Sequence, residues 1–126
     1  MIDYNKKVIK YFTHPKNVGE IKNADAIGEA GNFVCGDKLT IFLKINSKTK
    51  KITQAKFLSY GCASNIATSS ILTEMVKGKT IMETKKITHQ KITKELGGLP
   101  VQKIHCSILA LDAFKKAIEN YQKNNS

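Results

Sequence analysis

Three cysteines, one histidine and one aspartate of this chain fall where its sequence pattern breaks. The stretch LPVQKIHCS, from Leu99 to Ser107, closes a glycine-containing segment and opens what reads as the last helix. It sets Lys103, His105 and Cys106 within one helical turn. Cys35 stands in Val34-Cys35-Gly36-Asp37, and Cys62 in Tyr60-Gly61-Cys62-Ala63-Ser64. The adjacent glycines let backbone approach a ligand closely. Thiolate is the form of cysteine that binds metal and attacks sulfur, and the unsatisfied N–H groups of a helix start favour it. The pattern puts Cys35 at a turn between strands, Cys62 at a strand-to-helix turn and Cys106 in the first turn of a helix. Cysteines that only fill a core sit inside apolar stripes. These three do not, so the reading is a shared thiolate site assembled by the fold.

Two further ligands are available. Asp37 is two residues from Cys35 and within reach of a tetrahedral set, although a solvated turn aspartate explains its position equally well on spacing alone. His105 precedes Cys106 on the helix, so the two side chains diverge by about 100°. That makes a Cys–His catalytic dyad a poor reading but lets both side chains meet one ion from different directions. There is no C-x-x-C, and an odd number of cysteines without a secretory signal argues against a disulfide framework.

The elements that must position these residues follow from periodicity. Tyr4, Val8, Tyr11 and Phe12 predict a helix from about Asp3 to Thr13, stopped before His14-Pro15. His14 reads as a helix-end residue and Lys16–Asp25 as a loop. Ala26–Phe33, with Gly28 and Gly31, predicts an edge strand or extended arm. Cys35-Gly36-Asp37 reads as a turn. Lys38–Asn46 alternates, with Leu39, Ile41, Leu43 and Ile45 on one face, as a half-buried strand does. After a hairpin loop at Asn46–Lys50, Lys51–Tyr60 returns. There Ile52 and Leu58 have the wrong parity for Ala55 and Phe57, which a bulge would explain. Ala67, Ile71 and Met75 predict a helix over Ala63–Lys77 with Gly78 as its stop. Short helices are expected around Ile81–Ile87 and His89–Leu96, with His89 solvated among lysines. Ile104, Ile108, Leu111, Phe114, Ile118 and Tyr121 predict a final helix to about Gln122, with a frayed tail from Lys123. The expected fold is α+β: one domain over residues 1–126, a small antiparallel three-stranded sheet packed against several helices.

Composition narrows the function. The chain has 126 residues, 41% hydrophobic and 25% charged, and can bury a real core. Its formal net charge of +11 raises the question of nucleic acid, but all 21 basic residues are lysine. Arginine is the side chain suited to bidentate phosphate and guanine recognition, and the lysines are spread from Lys6 to Lys123. The reading is a solvated lysine-rich surface with no specific nucleic acid, able to steer an acidic protein partner. No apolar run reaches the roughly 20 residues that span a bilayer. No membrane association is expected, and without a secretory signal the expected compartment is the cytoplasm.

The segments GNFVCGD, YGCASNIATSS and LPVQKIHCSILALDAF, in this order, resemble the iron–sulfur cluster assembly scaffold IscU and the N-terminal domain of NifU. The similarity runs over nearly the whole chain. The family's cysteines correspond to Cys35, Cys62 and Cys106, its aspartate to Asp37 and its histidine to His105. Related SufU scaffolds carry an insertion and lack that histidine, which puts this chain on the IscU/NifU side. The later domains of full-length NifU are not expected.

The resemblance implies a scaffold, not an enzyme. It receives sulfur as a persulfide from a cysteine desulfurase, with iron and electrons from a ferredoxin-type donor. It assembles a transient 2Fe–2S cluster and passes it to apo iron–sulfur client proteins. The implied ligands are Cys35, Cys62 and Cys106 with Asp37 or His105 as the fourth, and Cys106 is the implied first persulfide acceptor. Zinc is expected in the purified form, since thiolate, imidazole and carboxylate suit it. Many family members read LPPVK where this chain reads LPVQK, so use of a dedicated chaperone pair is not implied. The rival readings are a structural zinc-binding domain and a cysteine-dependent sulfurtransferase.

Overall fold

The computed structural model describes residues 4–32 and 37–124, and for Asn32 and Asp37 the backbone only. Three strands, β1 (Ala26–Asn32), β2 (Asp37–Ile45) and β3 (Ile52–Tyr60), form an antiparallel sheet in the order β1-β2-β3. Among the described residues one helix, α1 (Lys6–Thr13), precedes the sheet. Four follow it: α2 (Ala63–Val76), α3 (Ile81–Thr84), α4 (His89–Glu95) and α5 (His105–Asn124), with a 3-10 turn at Val101–Lys103 before the last.

The alternation in β2 does what its pattern requires. Leu39, Ile41, Leu43 and Ile45 are all buried in the core that α2 and α5 cover. The expected bulge lies near the hairpin. Lys44 pairs with Gln54 but Ile45 with Ile52, so Thr53 is the extra residue. That slip turns Ile52 inward beside Ala55 and Phe57, leaving Leu58 on the opposite face. The outer edge of β3 is shielded by the loop after α1, where Phe57 donates its N–H to Asn17 O and accepts from Gly19 N, each at 2.9 Å.

Several boundaries differ from expectation for local reasons. Helix α1 starts at Lys6, because Asn5 caps it by accepting the Val8 N–H at 3.0 Å. The expected start at Asp3 and the Cys35-Gly36 turn lie outside the described residues, and Asp37 opens β2. Helix α3 is a single turn, held by a reciprocal cap in which Thr80 and Glu83 each accept the other's N–H. Helix α5 does not fray at Lys123 but continues through Asn124, with Tyr121 buried and Lys123 paired to Glu119 at 3.6 Å.

Helix α2 is the largest departure. Its apolar stripe predicts one buried face, yet Ser64, Asn65, Thr68, Ser69, Ser70 and Thr73 are buried too. The loop after α1 closes over part of that polar surface. Ser70 Oγ accepts the Lys16 N–H at 2.8 Å, and Asn17 Nδ2 donates to Thr73 Oγ1 at 3.0 Å. The helix is enclosed on nearly all sides, which fixes its N-terminus, and hence Cys62, firmly in place.

Candidate functional site

Strand β3 ends at Tyr60, and Gly61 then adopts φ +147°, a conformation that favours glycine. This turn delivers Cys62 to the N-cap of α2. Its side chain makes no capping bond there, so the sulfur is available to other groups. Cys106 comes from the first turn of α5, 44 residues later, and the two sulfurs stand 3.8 Å apart. Ser64 Oγ lies 3.0 Å from each sulfur. Cys106 and Ser64 are fully buried, whereas Cys62 is half-buried.

This arrangement separates the two thiols electrostatically. The Cys62 thiol is lowered to about 4, first by a hydrogen bond from Cys106, then by Ser64, the Asn65 N–H and the positive charge of Lys103, against the opposing effect of burial. Cys106 moves up, because its S–H donates a hydrogen bond to the Cys62 sulfur and because it is itself buried. Lys103, at the end of the 3-10 turn, is raised chiefly by the charge of Cys62, to which it also hydrogen-bonds. These shifts favour one thiolate and one thiol sharing a proton, with an ammonium alongside. In apo protein, iodoacetamide is expected to alkylate Cys62 at pH 6 nearly as fast as at pH 8, while Cys106 stays slow throughout. Peptide mass spectrometry across this range checks it, and a Cys62 rate falling tenfold per pH unit below 8 would contradict the assigned ionisation.

His105 departs from the sequence reading. Although it neighbours Cys106 on α5, its ring swings back so that Nε2 is 3.7 Å from Cys106 Sγ. The helical angle between adjacent residues sets where side chains start, and the length of the imidazole lets it return. His14 is the C-cap of α1, with Nδ1 3.0 Å from Thr13 Oγ1, as a helix-end residue should be. His89 is not fully solvated: it is half-buried and its Nδ1 is sealed from solvent with no hydrogen-bond partner among the described residues.

Cys35 lies outside the described residues. Asp37 begins β2 opposite Asn32, and Lys38 pairs with Tyr60, so Asp37 enters its strand at the sheet end where β3 turns toward Cys62. Among the described residues no group of three or more His, Cys, Asp and Glu side chains converges as a metal ion would require. The donor chemistry nevertheless fits a thiophilic ion or iron–sulfur unit: two sulfurs at 3.8 Å match the separation of about 4 Å for thiolates sharing one tetrahedral ion. Polar atoms near Cys62 in sequence are also left over. Both amide atoms of Asn65, and the hydroxyls of Ser59 and Ser69, are buried without a hydrogen-bond partner among the described residues, which is costly unless a partner arrives. Sequence pattern alone assigns no role to Ser64 or Lys103. The signal was their spacing, two residues after Cys62 and three before Cys106.

This sheet-and-helix architecture has counterparts among known proteins. Residues 3–126 match the NifU-like N-terminal domain family. The iron–sulfur cluster assembly scaffold protein IscU 1 of Archaeoglobus fulgidus is 52% identical over 122 residues, spanning 97% of this chain and 78% of that protein. The scaffold protein IscU of Aquifex aeolicus is 45% identical, over 94% of this chain and 76% of its own length. In fold, the N-terminal part of a NifU-like protein from Brucella abortus superposes with a TM-score of 0.75 over 94% of each chain at 20% identity. The chain belongs to the NifU-like N-terminal domain family. No described helix is long and apolar enough to cross a membrane.

Proposed function

We propose that this protein is a scaffold on which iron–sulfur clusters are assembled and from which they are released to apo-proteins. The observation that carries the reading is the Cys62–Cys106 pair, with sulfurs 3.8 Å apart and Ser64 Oγ 3.0 Å from each. Cys35, Cys62 and Cys106 hold the 2Fe–2S cargo, with Asp37 or His105 as fourth ligand. The names of its relatives support the same role.

Sulfur arrives as a persulfide on a cysteine desulfurase. A scaffold thiolate attacks the outer sulfur, the S–S bond of the donor breaks, and the donor cysteine leaves as thiolate with no net oxidation. Releasing sulfide from the new persulfide then takes two electrons, which a ferredoxin-type donor supplies. Cys106 is the acceptor in this reading, and its sulfur must first emerge, because it is wholly buried and its thiol is pushed up by the Cys62 hydrogen bond and by burial. His105 Nε2, 3.7 Å away, is placed to take that proton. The same 126 residues constitute one scaffold domain, and cytoplasmic clients and the desulfurase are its partners. Zinc occupies the thiolates when iron and sulfide are absent.

Anaerobic reconstitution with iron, sulfide and a thiol reductant tests this. Visible absorbance and circular dichroism of a 2Fe–2S unit are expected, and binding of zinc with no chromophore would leave a structural zinc domain instead. Asp37→Ala is expected to leave the fold nearly unchanged, prolong the lifetime of the bound cluster and slow its transfer to an apo-ferredoxin. A carboxylate matches iron–sulfide chemistry less well than thiolate and so opens the site for release. Equal transfer rates in the two proteins would remove Asp37 from the ligand set and leave His105.

A further inference from the structure

The segment that carries Lys103, His105 and Cys106 is tied to the start of α1, 93 residues away in sequence. Asn5 makes the tie with both ends of its carboxamide. Oδ1 accepts the Val8 N–H at 3.0 Å and caps α1, while Nδ2 donates to Gly98 O at 2.9 Å. Gly97 and Gly98 both have positive φ, +80° and +105°. The face of Gly97 where a side chain would stand is turned toward Asn5, since a Cβ there would lie 3.3 Å from Nδ2. Two other contacts run the same way: Lys7 Nζ reaches Glu95 O at 3.4 Å, and Tyr4 is close enough to Lys103 to act on it electrostatically. Leu99, directly after the glycines, packs partly buried against the core. Downstream come the 3-10 turn, Lys103 on the Cys62 sulfur, and Cys106 with no exposure.

We infer that Asn5 is a positioning residue: through Gly98 it holds the Leu99–His105 segment closed over Cys106, so that release of this tie is what exposes the Cys106 sulfur. Two adjacent glycines on the left-handed side of φ have low barriers to rearrangement, and the 3-10 turn after them is short, with no buried side chain. Between α4 and α5 the segment therefore has little packing of its own along the 3-10 turn, and the Asn5 amide supplies a specific restraint on it. The start of α1 is correspondingly a place where a docking partner gains leverage on the sulfur without touching it. That last consequence rests on the scaffold reading. The restraint itself does not.

The two functions of the carboxamide can be separated. In Asn5→Ser a hydroxyl still caps α1, because serine is a good N-cap, but it is too short to reach Gly98 O. Asn5→Ala loses both bonds. The reduced, metal-free full-length chain is labelled with N-ethylmaleimide at fixed pH, and modification at Cys62 and Cys106 is followed separately by peptide mass spectrometry. Hydrogen exchange in β2 serves as the measure of global opening. For one exposed hydrogen bond the expected acceleration at Cys106 is about 2- to 10-fold in Asn5→Ser, with Cys62 within twofold of native and β2 exchange unchanged. Asn5→Ala should show the same acceleration at Cys106 together with a lower Tm. A native Cys106 rate in Asn5→Ser overturns the inference, and so does equal acceleration at Cys106, Cys62 and in β2 exchange, which reports only lost stability. If Cys106 labels faster but sulfur transfer from a desulfurase does not quicken, the positioning role stands and the assignment of Cys106 as acceptor falls.

Discussion

Replacing Cys62 with alanine is expected to abolish cluster assembly, by at least tenfold in reconstituted absorbance, and to flatten the dependence of stability on pH. The first effect follows from removing the one thiolate already formed in the resting site. The second follows from proton counting. Folded, the Cys62–Cys106 pair holds one proton from about pH 4 to beyond the ordinary thiol range, because Cys62 is lowered and Cys106 raised. Unfolded, the pair holds two protons below about pH 8.5 and none well above it. Between those limits unfolding takes up a proton, so raising pH stabilises the fold, and above about pH 9 the sign reverses. Solvent reaches half-buried Cys62 and weakens the effect, leaving about 1–2 kcal/mol between pH 5 and 8. Without Cys62, Cys106 loses its thiolate partner and this rise should vanish. Urea titrations of both proteins at pH 5, 6.5, 8 and 9.5 provide the comparison. The expected result is near-equal stability at pH 5 and a growing deficit in the variant at pH 8. Parallel curves would mean that the pair is not singly ionised in the fold.

What could be read from the sequence has a physical boundary. The strands β2 and β3 were legible because one face is buried and the other wet, and the bulge was legible because a single extra residue inverts parity. The final helix was legible for the same reason, its stripe running from Ile104 to Tyr121. Helix α2 was legible as a helix but not in its surroundings. Five serines and threonines and Asn65, all buried, carry no apolar signal; the loop at Lys16-Asn17 folds over Ser70 and Thr73, and α5 meets Ser64 and Thr68 at Cys106. At the site, the cysteines and their neighbouring glycines could be singled out by type and spacing. Neither the inequality of Cys62 and Cys106 nor the contact of His105 with Cys106 could be. Both depend on distances of 3 to 4 Å between side chains that α2 and α5 bring together. The tie from Asn5 to Gly98 is of the same kind, invisible to any local pattern.

Gly28→Ala is expected to cost more stability than any other single methyl added to the glycines of this fold whose surroundings are described. Read as a sequence, Gly28 marks only an edge strand or extended arm. In the structure it is where α5 lies directly on β1, opposite Ile41 in the strand pairing. A Cβ at Gly28 would overlap Ala113 O and Ala117 N and lie 2.9 Å from Ala117 Cα. These are backbone atoms of a helix, so no rotamer change relieves the overlap and α5 must retreat as a body. Ala113 and Ala117 are fully buried and one turn apart, which makes the contact small against small along the helix. Retreat opens the core around Phe114 and Ile118 and withdraws the other end of the same helix, which carries Cys106. The expected loss is about 3 kcal/mol or more, a fall in Tm of about 10 °C for a chain this size. Gly78→Ala is the control: φ there is +79° but nothing lies within 4 Å of the added carbon, so only backbone strain of about 1 kcal/mol is expected. Calorimetry of the two variants separates space from conformation. If Gly28→Ala melts no lower than Gly78→Ala, α5 does not rest on β1 as closely as described, and the position it gives Cys106 opposite Cys62 loses its basis.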